Sequence, residues 1–225
     1  MEKIEYQYRF RCSQLAHWDF CPKRCKLEVF NQVEKGDGDN KAMQKGTELH
    51  WEFSVPYKSF QRRLLRYQLL TKYGRVFERQ IDNILIRGSP DDYRVLFNPR
   101  TQEKFVSICE IKTTSKNHMW YAEVKAATLQ LQLYIWVMEG YIKALGWQLH
   151  KRHYLEIYSQ KDKRLLRRIM VEADPNIEFK IRHILRAFQG TEPWRYPESY
   201  VCKICPRPVK KECWLYQQRK EQCKS

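Results

Sequence analysis

Apolar and polar residues alternate along 105–112, so an extended strand there sets Val106, Ile108, Glu110 and Lys112 on one face and Phe105, Ser107, Cys109 and Ile111 on the other. Apolar residues run up to the Glu110–Lys112 pair on both faces, the pattern of a central strand that ends at a site. Around it the same reading predicts strands over 76–81 and 83–87, a break at 88–93, a strand over 94–97, a turn at 98–101 and the long strand over 104–114. A helix over 121–142 follows, with Gln130 and Tyr134 four apart on one face and a stop at Gly146. Strands over 150–158 and 165–171 then flank a charged hairpin. Asp174 as N-cap and Pro175 at the first helical position open a helix through Phe188.

The chain before the strands is helical. Ser13 caps a short apolar and aromatic run to Phe20, and Cys21-Pro22-Lys23-Arg24-Cys25 marks a turn. A polar loop at 34–40 precedes a helix carrying Ala42, Met43, Gly46, Leu49, His50 and Phe53, which Pro56 ends. Residues 61–75 form a basic amphipathic segment with Leu64, Leu65, Leu69 and Leu70 as its buried stripe.

Composition adds a partner and a compartment. Among 225 residues, 42 Lys and Arg face 26 Asp and Glu, and the resulting +16 is spread along the chain, which points to a polyanion. Residues 1–10 lack the apolar core of a signal peptide. The most apolar helical stretch, 129–147, is broken by Glu139 and Lys143 and does not read as a membrane span. A cytoplasmic protein is expected, in which the eight cysteines are thiols or metal ligands rather than a disulfide framework.

Taken singly, the polar residues on these elements suit ordinary packing or solvated surface. Taken in order, His50 on a helix, Gly88-x-x-Asp91, Glu110-x-Lys112 and Gln130-x-x-x-Tyr134 resemble the motif succession of the RecB-like branch of the PD-(D/E)xK nuclease superfamily, across about 13–214. The resemblance implies an α/β, restriction-endonuclease-like core: a central mixed sheet flanked by helices. It also implies a divalent site for Mn²⁺ or Mg²⁺ made by His50, Asp91, Glu110 and the Ile111 carbonyl, a mixed oxygen and nitrogen set suited to these ions. Lys112 would position the attacking water, and Gln130 and Tyr134 would hold the lysine or a phosphate. Because Pro90 precedes Asp91, Asp92 is left open as an alternative ligand.

Cys202-x2-Cys205-x7-Cys213 supplies three thiolates of a metal knuckle. In the iron–sulfur-containing part of the RecB-like branch the fourth comes from the N-terminus, just before a proline, and Cys21-Pro22 matches that position. A [4Fe–4S] cluster then joins the two chain ends, with zinc as the alternative metal. Cys25 is a competing candidate; Cys12, Cys109 and Cys223 read as ordinary thiols. The implied organisation is 1–39 as a segment supplying one cluster cysteine, 40–190 as the nuclease core and 191–225 as the cysteine-rich segment. In this form the chain resembles the CRISPR-associated RecB-like exonucleases (Cas-four family). The implied function is metal-dependent hydrolysis of single-stranded DNA ends, processing prespacers beside a CRISPR integrase complex. A RecB-like nuclease of general recombination, repair or viral origin, and a non-catalytic DNA-binding scaffold, are the other readings the residues leave open.

Overall fold

The computed structural model describes residues 8–30, 72–116, 118–190, 199–205, 210 and 213. The chain runs β1 (Tyr8–Arg11), α1 (Cys12–Ala16), α2 (Pro22–Val29), β2 (Phe77–Ile81), β3 (Ile84–Gly88), β4 (Asp92–Phe97) and β5 (Lys104–Thr114). After these come α3 (Tyr121–Ala144), β6 (Gln148–Leu149), β7 (His153–Ser159), β8 (Leu165–Val171), α4 (Ile177–Phe188) and α5 (Ser199–Ile204). The fold is mixed α/β. A five-stranded sheet has the order β4-β5-β7-β8 with β6 also beside β5, and a three-stranded sheet has the order β1-β3-β2.

β5 is the hub of the larger sheet, antiparallel to β4 and parallel to β6 and β7. Parallel neighbours need a crossover, and α3 supplies it. Leu129 to Leu131 and Leu133 to Met138 are buried all round that helix, as expected of a helix enclosed by protein rather than one that shows a polar face to water. α3 packs on β2 and β3 of the small sheet as well as on β5 and β7 of the large one. Leu129, Leu133 and Met138 therefore share one core with Ile108 and Leu155 of the large sheet, Phe77 and Ile86 of the small sheet and Leu15 of α1.

Several expected boundaries move, each for a local reason. β1, which runs parallel to β3, is hidden in sequence because its four residues mix charged with aromatic side chains. The supposed turn at Cys21–Cys25 is the first part of α2: Cys21 is its extended N-cap, and Pro22 at the first position suits a helix that needs no N–H there. α1 begins at Cys12 rather than after Ser13, because Gln14 Oε1 accepts the Arg11 N–H at 3.0 Å and closes the helix start around Arg11. α4 begins at Ile177 with Asn176 as N-cap, not at Asp174, whose Oδ1 is committed to the Asn176 N–H at 2.9 Å. β4 starts at Asp92, two residues earlier than its apolar run suggests. The expected helix bearing His50, most of the 61–75 segment, and Cys223 lie outside the described residues. Among the described residues no helix is long and apolar enough to cross a membrane.

β5 changes partner along its length, pairing with β6 at Phe105 and Val106 and with β7 from Cys109 onward. Between the two, Ser107 Oγ donates to the Arg152 carbonyl at 2.8 Å and the Ile108 N–H donates to His153 Nδ1 at 3.0 Å. Side chains thus satisfy main-chain groups where the ladder is interrupted. Because Nδ1 accepts, the imidazole must be neutral with its proton on Nε2. Burial, reinforced by His150, pushes its pKa down to about 4.

A histidine whose folded pKa is depressed binds fewer protons than in the unfolded chain, so its share of stability is complete above pH 6.5 and is lost as pH falls toward 4. The share is about 3 kcal/mol by the cost of 1.36 kcal/mol per pKa unit. Denaturant unfolding at pH 7 and pH 4.5 is expected to show that loss in the parent and a much smaller one in His153→Asn, whose side-chain oxygen can still accept the Ile108 N–H. Equal losses would remove His153 as the cause.

Candidate active site

Glu110 and Lys112 sit on the face of β5 that meets α3. Lys112 Nζ donates to Glu110 Oε1 at 2.5 Å and to Gln130 Oε1 at 3.0 Å, and Gln130 Nε2 donates to the Tyr134 hydroxyl at 2.7 Å. One relay thus runs from the strand to the second of two helix turns. The Tyr134 ring occupies the space beside Gly88: a Cβ there would stand 2.5 Å from the ring and 2.7 Å from Cys12 Sγ. The glycine of the Gly88-x-x-Asp91 motif is therefore a seat for the tyrosine of the other motif.

Asp92 pairs with Cys109 in the β4–β5 ladder, which puts Asp91 just beyond the end of β4 and level with Glu110. Pro90, lacking an N–H, cannot prolong the ladder. Asp91 Oδ2 instead accepts the Ile111 N–H at 2.8 Å. The pleat sets the neighbouring acids apart: Asp91 falls level with Glu110, while Asp92 shares the face of Cys109 and lies 3.9 Å from Arg94 Nε.

Electrostatics separate the site from its surroundings. Glu110 is 1% exposed. Burial and the nearby Asp91 carboxylate raise its pKa, and Lys112 only partly opposes them. Burial would lower the Lys112 pKa, but Glu110 and Asp91 outweigh it and hold the ammonium charged, with 27% of its side chain exposed. Glu110 Oε2 is buried without a hydrogen bond among the described residues. An acceptor-only oxygen left open beside a second carboxylate suits a hard cation. Asp91 and Glu110 are two donors; among the described residues no third His, Cys, Asp or Glu completes a metal-holding group with them, and His50 lies outside the described residues.

The cysteines divide into two sets. Cys25 Sγ donates to the Gln14 carbonyl at 3.2 Å and belongs to the main core, as does Cys12. Cys21 instead packs with Phe20, Ala122, Ala126 and Val201, and Cys205 lies against them. Burial raises the pKa of Cys21, with Cys213 and Cys202 adding to it. Cys205 is pushed up to about 12, chiefly by burial, with Cys21, Cys213 and Cys202 again contributing. Among the described residues no three of Cys21, Cys202, Cys205 and Cys213 stand as a group that could hold a metal ion.

Two polar groups were not anticipated. His17 Nδ1 meets Glu28 Oε2, while Arg24 Nε donates to Glu28 Oε1 at 2.6 Å, making a triad at the α1–α2 junction. Behind β5, the fully buried Glu156 accepts from Arg168 Nε at 2.8 Å, Tyr158 at 2.9 Å and Arg94 Nη2 at 3.1 Å. Polar residues at inward positions of predicted strands, Asp92 and Arg94 on one and Glu156 and Tyr158 on another, are the signal that would have found this second group.

Gly88→Ala is expected to lower stability by about 1–3 kcal/mol, the usual cost of forcing a methyl into a filled core. Cys12→Ala in the same chain opens part of that space and should recover part of the loss in denaturant midpoints. No recovery would mean that the Tyr134 ring alone sets the limit.

No protein-family model and no curated protein matches the chain. Among solved structures it is similar to SSO0001, at 15% identity and a TM-score of 0.47, covering 95% of this chain and 89% of that one. It is also similar to a protein from Eubacterium rectale named as a candidate exonuclease, at 13% identity and a TM-score of 0.47, covering 89% of this chain and 86% of that one.

Proposed function

We propose that the chain is a metal-dependent deoxyribonuclease of the PD-(D/E)xK type, acting on single-stranded DNA ends. The observation that carries this reading is the meeting of Asp91, Glu110 and Lys112 at the end of a central strand, with one buried Glu110 oxygen left open. Asp91 and Glu110 would hold Mn²⁺ or Mg²⁺, with His50 and the Ile111 carbonyl completing the donor set that the RecB-like resemblance implies. Such an ion supplies polarisation of the phosphoryl oxygen and acidification of a water.

The protein's own groups do the rest. Lys112, kept charged by its two acidic neighbours, offsets negative charge building on phosphorus and orients the attacking water rather than deprotonating it. The water loses a proton to solvent as its oxygen bonds to phosphorus, the bridging P–O bond breaks, and the departing sugar oxygen gains a proton from solvent. Gln130 fixes the ammonium, and Tyr134 fixes which end of the Gln130 amide faces it. The surplus of 16 positive charges favours a polyanionic substrate.

Cys21, Cys202, Cys205 and Cys213 would hold a [4Fe–4S] cluster that staples the chain ends, and zinc would suit the same four thiolates. Within this reading the biological step is trimming of prespacer ends beside a CRISPR integrase complex, as the Cas-four resemblance implies.

A labelled single-stranded oligonucleotide is expected to shorten with Mn²⁺ and to stay intact in EDTA. Glu110→Ala and Lys112→Ala should each cut at least ~100-fold more slowly while still binding it. Parent-like cutting by both variants would dismiss the site, and no metal-dependent shortening by the parent would favour the scaffold reading. For the thiols, anaerobically purified protein should carry iron and sulfide with a broad visible absorption that Cys202→Ala loses; zinc without visible absorption would assign the other metal.

A further inference from the structure

The strand that carries Lys112 leads directly into an unusual piece of surface. β5 ends at Thr114, and the loop to α3 is folded back on it: Thr114 Oγ1 donates to the His118 carbonyl at 3.3 Å and accepts the Lys116 N–H at 3.2 Å. Trp120 N–H donates to Glu123 Oε2 at 2.9 Å and starts the helix. This fixed loop holds two aromatic side chains outward, Trp120 at 36% and Tyr121 at 67% exposure. Each has a lysine over its ring, Lys116 at 5.2 Å from Trp120 and Lys125 at 4.7 Å from Tyr121. The Trp120 ring also rests against Tyr200 of α5, 6.4 Å between centroids and tilted by 39°.

A second cationic element is tied to the same strand end. Gln160, in the β7–β8 hairpin, donates its N–H to the Thr114 carbonyl at 2.9 Å and its side-chain amide to Thr113 Oγ1 at 3.1 Å. That anchor ties the hairpin, whose Lys161 and Lys163 are exposed, to the end of β5.

We propose that Trp120 and Tyr121, with Lys116 and Lys125, form a stacking platform for the unpaired bases of a single-stranded DNA next to the Glu110–Lys112 strand end. The inference rests on the nuclease reading of that strand end. Exposed rings offer a face on which unpaired bases stack, and the ammonium group over the other face of each ring meets the intervening phosphates. A blunt duplex has its bases already stacked inside and gains only the phosphate contacts. The platform thus selects single strands over duplex.

Binding is measured in EDTA by fluorescence anisotropy, with a labelled single-stranded oligonucleotide, the matching blunt duplex, and a single strand containing 2-aminopurine. Trp120→Ala and Tyr121→Ala are each expected to weaken single-strand binding about 10-fold, to leave duplex binding within a factor of two, and to reduce the quenching of 2-aminopurine. Trp120→Phe, which keeps a ring, should restore most of the affinity, and parent-like thermal midpoints show that the variants are folded. Unchanged single-strand affinity in both variants, equal losses on duplex, or a parent that binds no single strand would each overturn the platform. EDTA removes the divalent ion, so this result stands apart from cleavage: parent-rate cutting by Glu110→Ala would sink the catalytic assignment and leave the platform intact.

Discussion

The structure depends on how one buried carboxylate is held. Glu110 lies on a strand enclosed on both edges and beneath α3, where an ionised acid is costly unless it is paired. Its partner, Lys112, comes from the same strand two residues on, so the pleat itself supplies the pair. The ammonium then needs a second acceptor, and α3 provides it through Gln130. That amide needs a partner in turn, which Tyr134 provides, and the Tyr134 ring needs room, which Gly88 leaves. Each requirement calls up the next, and together they tie the crossover helix to both sheets at one point.

The opposite face of β5 offers an internal comparison. Glu156 is as deeply buried as Glu110, yet two guanidinium groups and a hydroxyl surround it. Burial would raise its pKa, but Arg94, Tyr158 and Arg168 overcome that and leave it lowered. Glu110 has one cationic donor and a neighbouring carboxylate, and its pKa is raised. A buried acid surrounded by donors is settled within the sheet; an acid kept short of donors beside another acid has the chemistry of a cation ligand. The contrast separates a carboxylate satisfied within the sheet from one left short of donors.

Much of this was legible in the sequence, for reasons that can be named. β5 announced itself because a strand buried on both faces is apolar on both, so the two charges at its end stood out. α3 was legible through its length, and Gln130 and Tyr134 through their spacing. Asp91 was legible through its spacing from Gly88, but the start of β4 at Asp92 was not, because a polar residue adjoining a proline gives no sign of a strand. β1 escaped because its character comes from β3 beside it rather than from its own residues. The capping errors at α1 and α4 share a cause: each expected cap had a nearer bond to make or was displaced by one, and composition does not rank such local competitors.

The helix α3 also links packing against α1–α2 and α5 residues to the strand that carries Lys112. Ala122, Ala126, Gln130 and Tyr134 recur every four residues and so lie along one ridge of the helix. The two alanines pack with Phe20, Cys21 and Val201 from the chain ends. Small side chains allow this close approach. Gln130 and Tyr134 continue the same ridge into the relay with Lys112. Successive positions are separated by about 6 Å of helix rise, so a shift of α3 along its axis, or a rotation about it, cannot alter the thiol-side packing without also moving the Gln130 amide off the ammonium. The packing around Cys21 and the Gln130–Lys112 contact are therefore coupled through the register of this ridge.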